Sequence, residues 1–184
     1  LNSLTAVTTT TTTATATTEY ASHAMCNSLS LNLPNNQLDK LQSILNSAAR
    51  AITSSSKYSR ITPILKSLHW LKINERIHYK ILSLTYSAIQ FNKPSYLRNL
   101  LTIQNKINTR SSSSVTLIRP SNPSNLKITN RSFTFTAPSL WNLLPSELRQ
   151  PFIPPSDQSS TLSLSPAVFH KRLKTYLFHK SFPP

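Results

Sequence analysis

Apolar residues recur at helical spacing through most of the chain. Leu38, Leu41, Leu45, Ala48 and Ile52 fall three and four apart, which predicts a helix with all five on one face. Asn36 is the expected cap, Asp39 the anion in the first turn, and Arg50 the cation near the end. Thr62-Pro63 predicts the opening of a short second helix carrying Ile64, Leu65 and Leu68 towards Trp70 and Leu71, with Thr62 as the cap and proline suited to the first helical position. A third helix is expected from Asn74, with Ile77, Ile81, Leu84 and Ala88 as its stripe. Pro94 opens a short fourth with Leu97, Leu100 and Leu101.

From Thr102 to Thr136 the period of 3.6 is lost and serine, asparagine and proline rise. Val115–Ile118 and Phe133–Thr136 are candidate short strands. Pro138 is expected to open a helix with Leu140, Trp141 and Leu144. Ser165-Pro166 opens the last, with Phe169, Leu173, Tyr176 and Leu177 in register around Lys171, Arg172 and Lys174. That basic amphipathic helix suits either a membrane surface or the core, and core packing is the commoner use. The fold class expected is mainly α: a small helical domain with an irregular, short-stranded middle and a disordered N-terminal tail. The divisions are a Thr-rich tail at 1–22, a helical segment at 26–101, a basic loop-rich segment at 102–149, a Pro/Ser linker at 150–165 and a C-terminal helix and tail at 166–184.

The tail reads as disordered because Thr8 to Thr13 are six consecutive threonines, poor helix formers without apolar alternation. A glycosylated stalk would want interspersed prolines, and the first is Pro34. Charge separates the tail from the rest. Residues 40–146 hold 15 Lys and Arg against the single acid Glu75, within a chain of 184 residues and net charge +15. Mixed surfaces intersperse both signs, so this imbalance points to a polyanionic partner, nucleic acid ahead of an anionic membrane. Arg76 and Lys80, four apart, share a face of the third helix, with Lys72 joining them from just before it, and Lys106, Arg110, Arg119, Lys127 and Arg131 lie in the acid-free middle, beside hydroxyls and amides suited to phosphate.

Composition excludes much chemistry. With no glycine, phosphate-binding loops of Walker or Rossmann type and the nucleophile elbow are out. Five scattered acids do not suit a two-metal site. His23 and Cys26 form one HxxC pair without a second, and the other histidines stand alone, so neither zinc nor any other cofactor is expected. A lone cysteine is compatible with a reducing compartment. No apolar run reaches the roughly 18 residues of a membrane span.

Five blocks in collinear order resemble the region beyond the polymerase thumb in reverse transcriptases of LINE-type, non-LTR retrotransposons. They are LDKLQSILNSAARAIT (Leu38–Thr53); ITPILKSLHWLKINERIHYKILSLTY (Ile61–Tyr86), with its Leu68, His69, Trp70, Leu71 kernel followed by Arg76-Ile77 and Lys80–Leu82; KPSYLRNLL (Lys93–Leu101); RSFTFTAPSLWNLLPSELR (Arg131–Arg149), with Trp141, Asn142 and Pro145 in its core; and FHKRLKTYLFHKSFPP (Phe169–Pro184). The resemblance implies a truncated C-terminal piece, in keeping with a start at Leu1 and a single Met25. The family's Tyr-x-Asp-Asp polymerase signature is absent, so no catalytic residue carries over and no enzyme activity or small-molecule substrate is expected. Its implied partners are template RNA or target DNA, or else the missing polymerase core against which it would serve as a structural module. Its implied location is intracellular, nuclear or cytoplasmic. Relatives often carry glycine near Asn92 and Asn130, so one of these asparagines is expected to take positive φ.

Overall fold

The computed structural model describes residues 33–104, 114–121, 132–150 and 164–183. It is mainly helical, with α1 at Asn35–Ile52, α2 at Ile61–Ser67, α3 at Ile73–Phe91, α4 at Ser95–Arg98, α5 at Phe133–Asn142, a 3₁₀ turn at Ser146–Leu148 and α6 at Pro166–Ser181. The Thr-rich tail and most of the linker lie outside the described residues.

Helix α3 is the hub, contacted by α1, α4, α5 and α6. Its expected stripe holds for Ile77, Ile81 and Ala88, while Leu84 is half-buried. A second row, Leu82, Tyr86 and Ile89, is buried as well, because a helix packed on several sides needs more than one apolar face. Tyr86 stacks on Phe169 of α6 at 4.0 Å, and Phe169 in turn lies 6.1 Å from Trp141 of α5. Each such ring contributes on the order of 1.5–3 kcal/mol through burial. The buried Tyr86 keeps a partner for its hydroxyl, which donates to the Leu164 carbonyl. Helix α6 therefore packs its Phe169, Leu173 and Leu177 face on the core, with Tyr176 half-buried.

Several sequence expectations need correction. Pro34, not Asn36, precedes α1, and Asp39 falls beyond the first turn. The helix is also rotated from its expected facing. Leu45 and Ala49 are buried and Leu38 packs on the core, whereas Leu41, Ala48 and Ile52 are exposed. At about 100° per residue the apolar arc of α1 spans roughly half a turn, and the core covers only one side of it. Gln42 fixes this rotation, its Oε1 accepting the Ile73 N–H at the start of α3 at 2.9 Å. Helix α2 starts at Ile61, so Thr62 does not cap and Pro63 sits in the first turn, where its missing N–H costs nothing. Helix α3 starts one residue before the expected Asn74, after Lys72. Pro94 precedes α4, and Leu100 is exposed.

Phe133–Thr136 is helical, not a strand, and Pro138 lies inside α5 rather than opening it. Packing overrides local preference here: Phe133, Ala137 and Trp141, four apart, and the neighbouring Thr136 all reach the core. Val115–Ile118 forms one antiparallel bridge, Leu117 to Ile103, instead of a strand. Side chains replace the missing neighbour strand. Trp141 Nε1 donates to the Val115 carbonyl at 3.0 Å, while Asn142 takes both backbone groups of Leu117, accepting its N–H at 3.0 Å and donating to its carbonyl at 2.8 Å. The Val115 N–H donates to the Arg149 carbonyl at 2.7 Å.

Left-handed backbone occurs at Ser54, His69 and Asn92, with φ of 50°, 53° and 54°. Asn92, at the end of α3, takes the positive φ expected of it or of Asn130, which lies outside the described residues. At the end of α2 the Trp70 N–H returns to the Leu65 carbonyl and the His69 N–H to that of Lys66; Ser55 and Ser54 make the same pair with Arg50 and Ala51. This bond pattern normally has glycine at the left-handed position. A chain without glycine places serine and histidine there instead.

Candidate nucleic-acid interface

The turn between α2 and α3 and the C-terminal end of α6 meet through Leu65, Leu68, Trp70, Ala49, Phe178 and Phe182, a second small apolar cluster. Cations sit on its outer side. Lys72 Nζ lies 5.2 Å and Lys66 Nζ 5.8 Å from the Phe182 ring centroid, and the Arg76 guanidinium lies 5.5 Å from Trp70. Ring faces attract cations by roughly 0.5–1 kcal/mol at exposed sites, enough to orient these side chains without neutralising them. Lys80 is exposed one turn beyond Arg76. Among the described residues, no ion pair joins Lys66, Lys72 or Arg76 to a carboxylate. His69 is exposed and stacks on Phe178 at 5.9 Å, and Phe178 lies 5.1 Å from Phe182.

Burial pushes the His78 imidazole below its ordinary value, Lys180 pushes it further, and Glu75 partly opposes them. His170 is also lowered, by burial. It stands in a separate polar seam between α3 and α6, with the Tyr79 and Ser83 hydroxyls 3.3 and 3.4 Å from its Nδ1.

Of the residues the sequence singled out, the structure brings Lys72 and Arg76 together and places Lys80 on the same helix. Arg119 is exposed on the 114–121 segment, which is held by α5 rather than by the α2–α3 turn. Lys106, Arg110, Lys127 and Arg131 lie outside the described residues. Lys66 and the rings of Phe178 and Phe182 are additions that sequence reasoning missed. The signal for the rings was the four-residue spacing of the two phenylalanines, Phe178 in the last turn of α6 and Phe182 just past it. The motif residues, grouped by the sequence as structural, differ in placement, and His69 among them is exposed. Leu71 and Trp141 are buried, Leu68 and Trp70 are half-buried, Asn142 holds Leu117, and the Pro145 carbonyl accepts the Leu148 N–H at 3.0 Å.

No group of three or more metal-ligating side chains occurs among the described residues, and His23 and Cys26 lie outside them. No described helix is long and apolar enough to cross a membrane. No family model, curated protein or solved structure matches this chain.

Proposed function

We propose that the chain is a catalytically inert C-terminal piece of a non-LTR retrotransposon reverse transcriptase that binds RNA or DNA without sequence preference through lysine and arginine. The observation that carries this reading is the cluster of Lys66, Lys72 and Arg76, held on Phe182 and Trp70 with no carboxylate partner among the described residues. Cations arranged in this way are available to phosphate, and phosphate contacts position a nucleic acid without reading its bases. An intracellular site of action, nuclear or cytoplasmic, goes with it. Titration of the full chain against RNA and DNA tests the reading. Binding at about 50 mM salt that weakens steeply towards about 200 mM is expected, and no binding at the lower salt overturns it. Nucleotide incorporation by the purified chain would overturn the inert part.

One observation favours a second reading, a packing module for an absent polymerase core. Leu41, Ile44 and Ile52 are 40%, 66% and 62% exposed along the outer side of α1, next to the half that packs inward. Under that reading, glutamine at Ile44 and Ile52 abolishes capture by a polymerase core supplied in trans. Unchanged capture overturns it.

A further inference from the structure

We propose that His69 is a base-stacking residue, so that the patch takes single-stranded rather than duplex nucleic acid. This inference rests on the nucleic-acid reading above and narrows it to one strand form.

Three observations support it. The first is the backbone at His69. Its φ of 53° occupies the helix-ending position where glycine fits freely and a β-carbon is crowded. Among the described residues, the other left-handed positions, Ser54 and Asn92, have short polar side chains, and His69 alone brings a ring to such a turn.

The second is where that ring lies. It is not spent on the core. The residue is exposed, and the ring lies 25° from the plane of Phe178 at a centroid distance of 5.9 Å. Its Nδ1 is 3.2 Å from the Ser67 carbonyl oxygen, which orients the ring when that nitrogen carries the proton. One aromatic side chain thus supports another at the surface.

The third is what flanks the ring. Lys66 and Lys72 lie three residues to either side in the chain, and both ammonium groups sit at Phe182, whose ring is 5.1 Å from Phe178. His69, Phe178 and Phe182 therefore form one row with an exposed ring at one end and two cations at the other. A nucleotide offers a flat base and an anionic phosphate, matching both ends. In a duplex the base faces are already stacked on one another, leaving base edges in the grooves and the phosphates outside. Stacking on such a ring also suits sequence-tolerant binding, since every base has a π-face.

His69→Gly separates stacking from folding, because glycine fits the left-handed turn while removing the ring. The full-length chain and this variant are titrated by fluorescence anisotropy with a labelled oligouridylate of about 12 nucleotides, and with a duplex of the same length. The variant is expected to lose about tenfold in affinity for the single strand, to bind the duplex as before, and to unfold at an equal or higher urea concentration. His69→Tyr, which keeps a ring, is expected to retain single-strand binding. Equal losses for the two strand forms, or a single-strand change within about twofold, overturn the stacking site while leaving the nucleic-acid reading standing. Failure of the unaltered chain to bind either form at about 50 mM salt overturns both.

Discussion

The α5 side of the molecule and the α1–α2 side are finished to different degrees. Around α5, Trp141 is wholly buried with its indole N–H bonded, and Asn142 satisfies both backbone groups of Leu117. On the α1–α2 side, Ile44 and Ile52 face solvent and, among the described residues, no carboxylate pairs with the cations of the patch. Leu143 and Ile118 are exposed on the α5 side as well, so the contrast lies in the polar groups. Buried polar groups paired internally contribute stability, whereas charges left without an opposite partner have capacity for one.

The largest test of this contrast is substitution. Trp141→Ala removes a buried ring and leaves the Val115 carbonyl without its indole donor, and should destabilise the chain by about 3–5 kcal/mol in urea unfolding. Ile44→Ser and Ile52→Ser should change the same measurement by less than about 0.5 kcal/mol each. A comparable loss at Ile44 would mean that the outer face of α1 is already covered.

Next comes the double substitution of Lys72 and Arg76 by alanine. It should weaken nucleic-acid binding about tenfold at low salt and reduce the salt slope by about two contacts, with little change in unfolding. Loss of stability instead would mean that these cations serve the rings beneath them.

A smaller effect is expected at the end of α1. Ser54→Gly relieves a left-handed serine and should stabilise by about 1 kcal/mol. The sign matters more than the size, since most surface substitutions are neutral or slightly harmful.

The smallest effect is in pH dependence. His78 and His170 have values below the ordinary 6.5 in the folded chain. Above that value both are neutral whether the chain is folded or not, and they contribute no slope. As pH falls through 6.5 the unfolded chain takes up protons that the native chain resists, so stability should decline on acidification. Lys180 beside His78 reinforces the trend and Glu75 opposes it. His78→Gln should flatten the decline measured by thermal unfolding, and an unchanged profile would exclude His78 as a source.

Much of the fold was legible because helical periodicity is a local signal. Ile77, Ile81 and Ala88, and Phe169, Leu173 and Leu177, reach the core as their spacing indicates. What was lost depends on neighbours. No spacing in α1 tells which half of a wide apolar arc faces inward; Gln42 settles it by reaching a backbone group 31 residues away. The aromatic and β-branched run Phe133–Thr136 resembles a strand until Phe169 and Val115 are brought beside Trp141. The site was legible in part for the same reason. Lys72 directly precedes α3 and Arg76 lies in its first turn, four residues on, but their supports, Phe182 and Trp70, come from the end of the chain and from the preceding turn.

The two tryptophans of the chain fall one on each side of this divide. Trp141 is enclosed by the core, whereas Trp70 is half-buried beneath Arg76. The molecule thus carries two intrinsic optical reporters with separate responsibilities. Trp141 should emit further to the blue, resist quenching by iodide and respond to unfolding. Trp70 should be the quenchable one, and its emission should change when an anion displaces or immobilises the guanidinium above it. Single-tryptophan variants would let folding and ligand occupancy be followed in one cuvette without an attached dye.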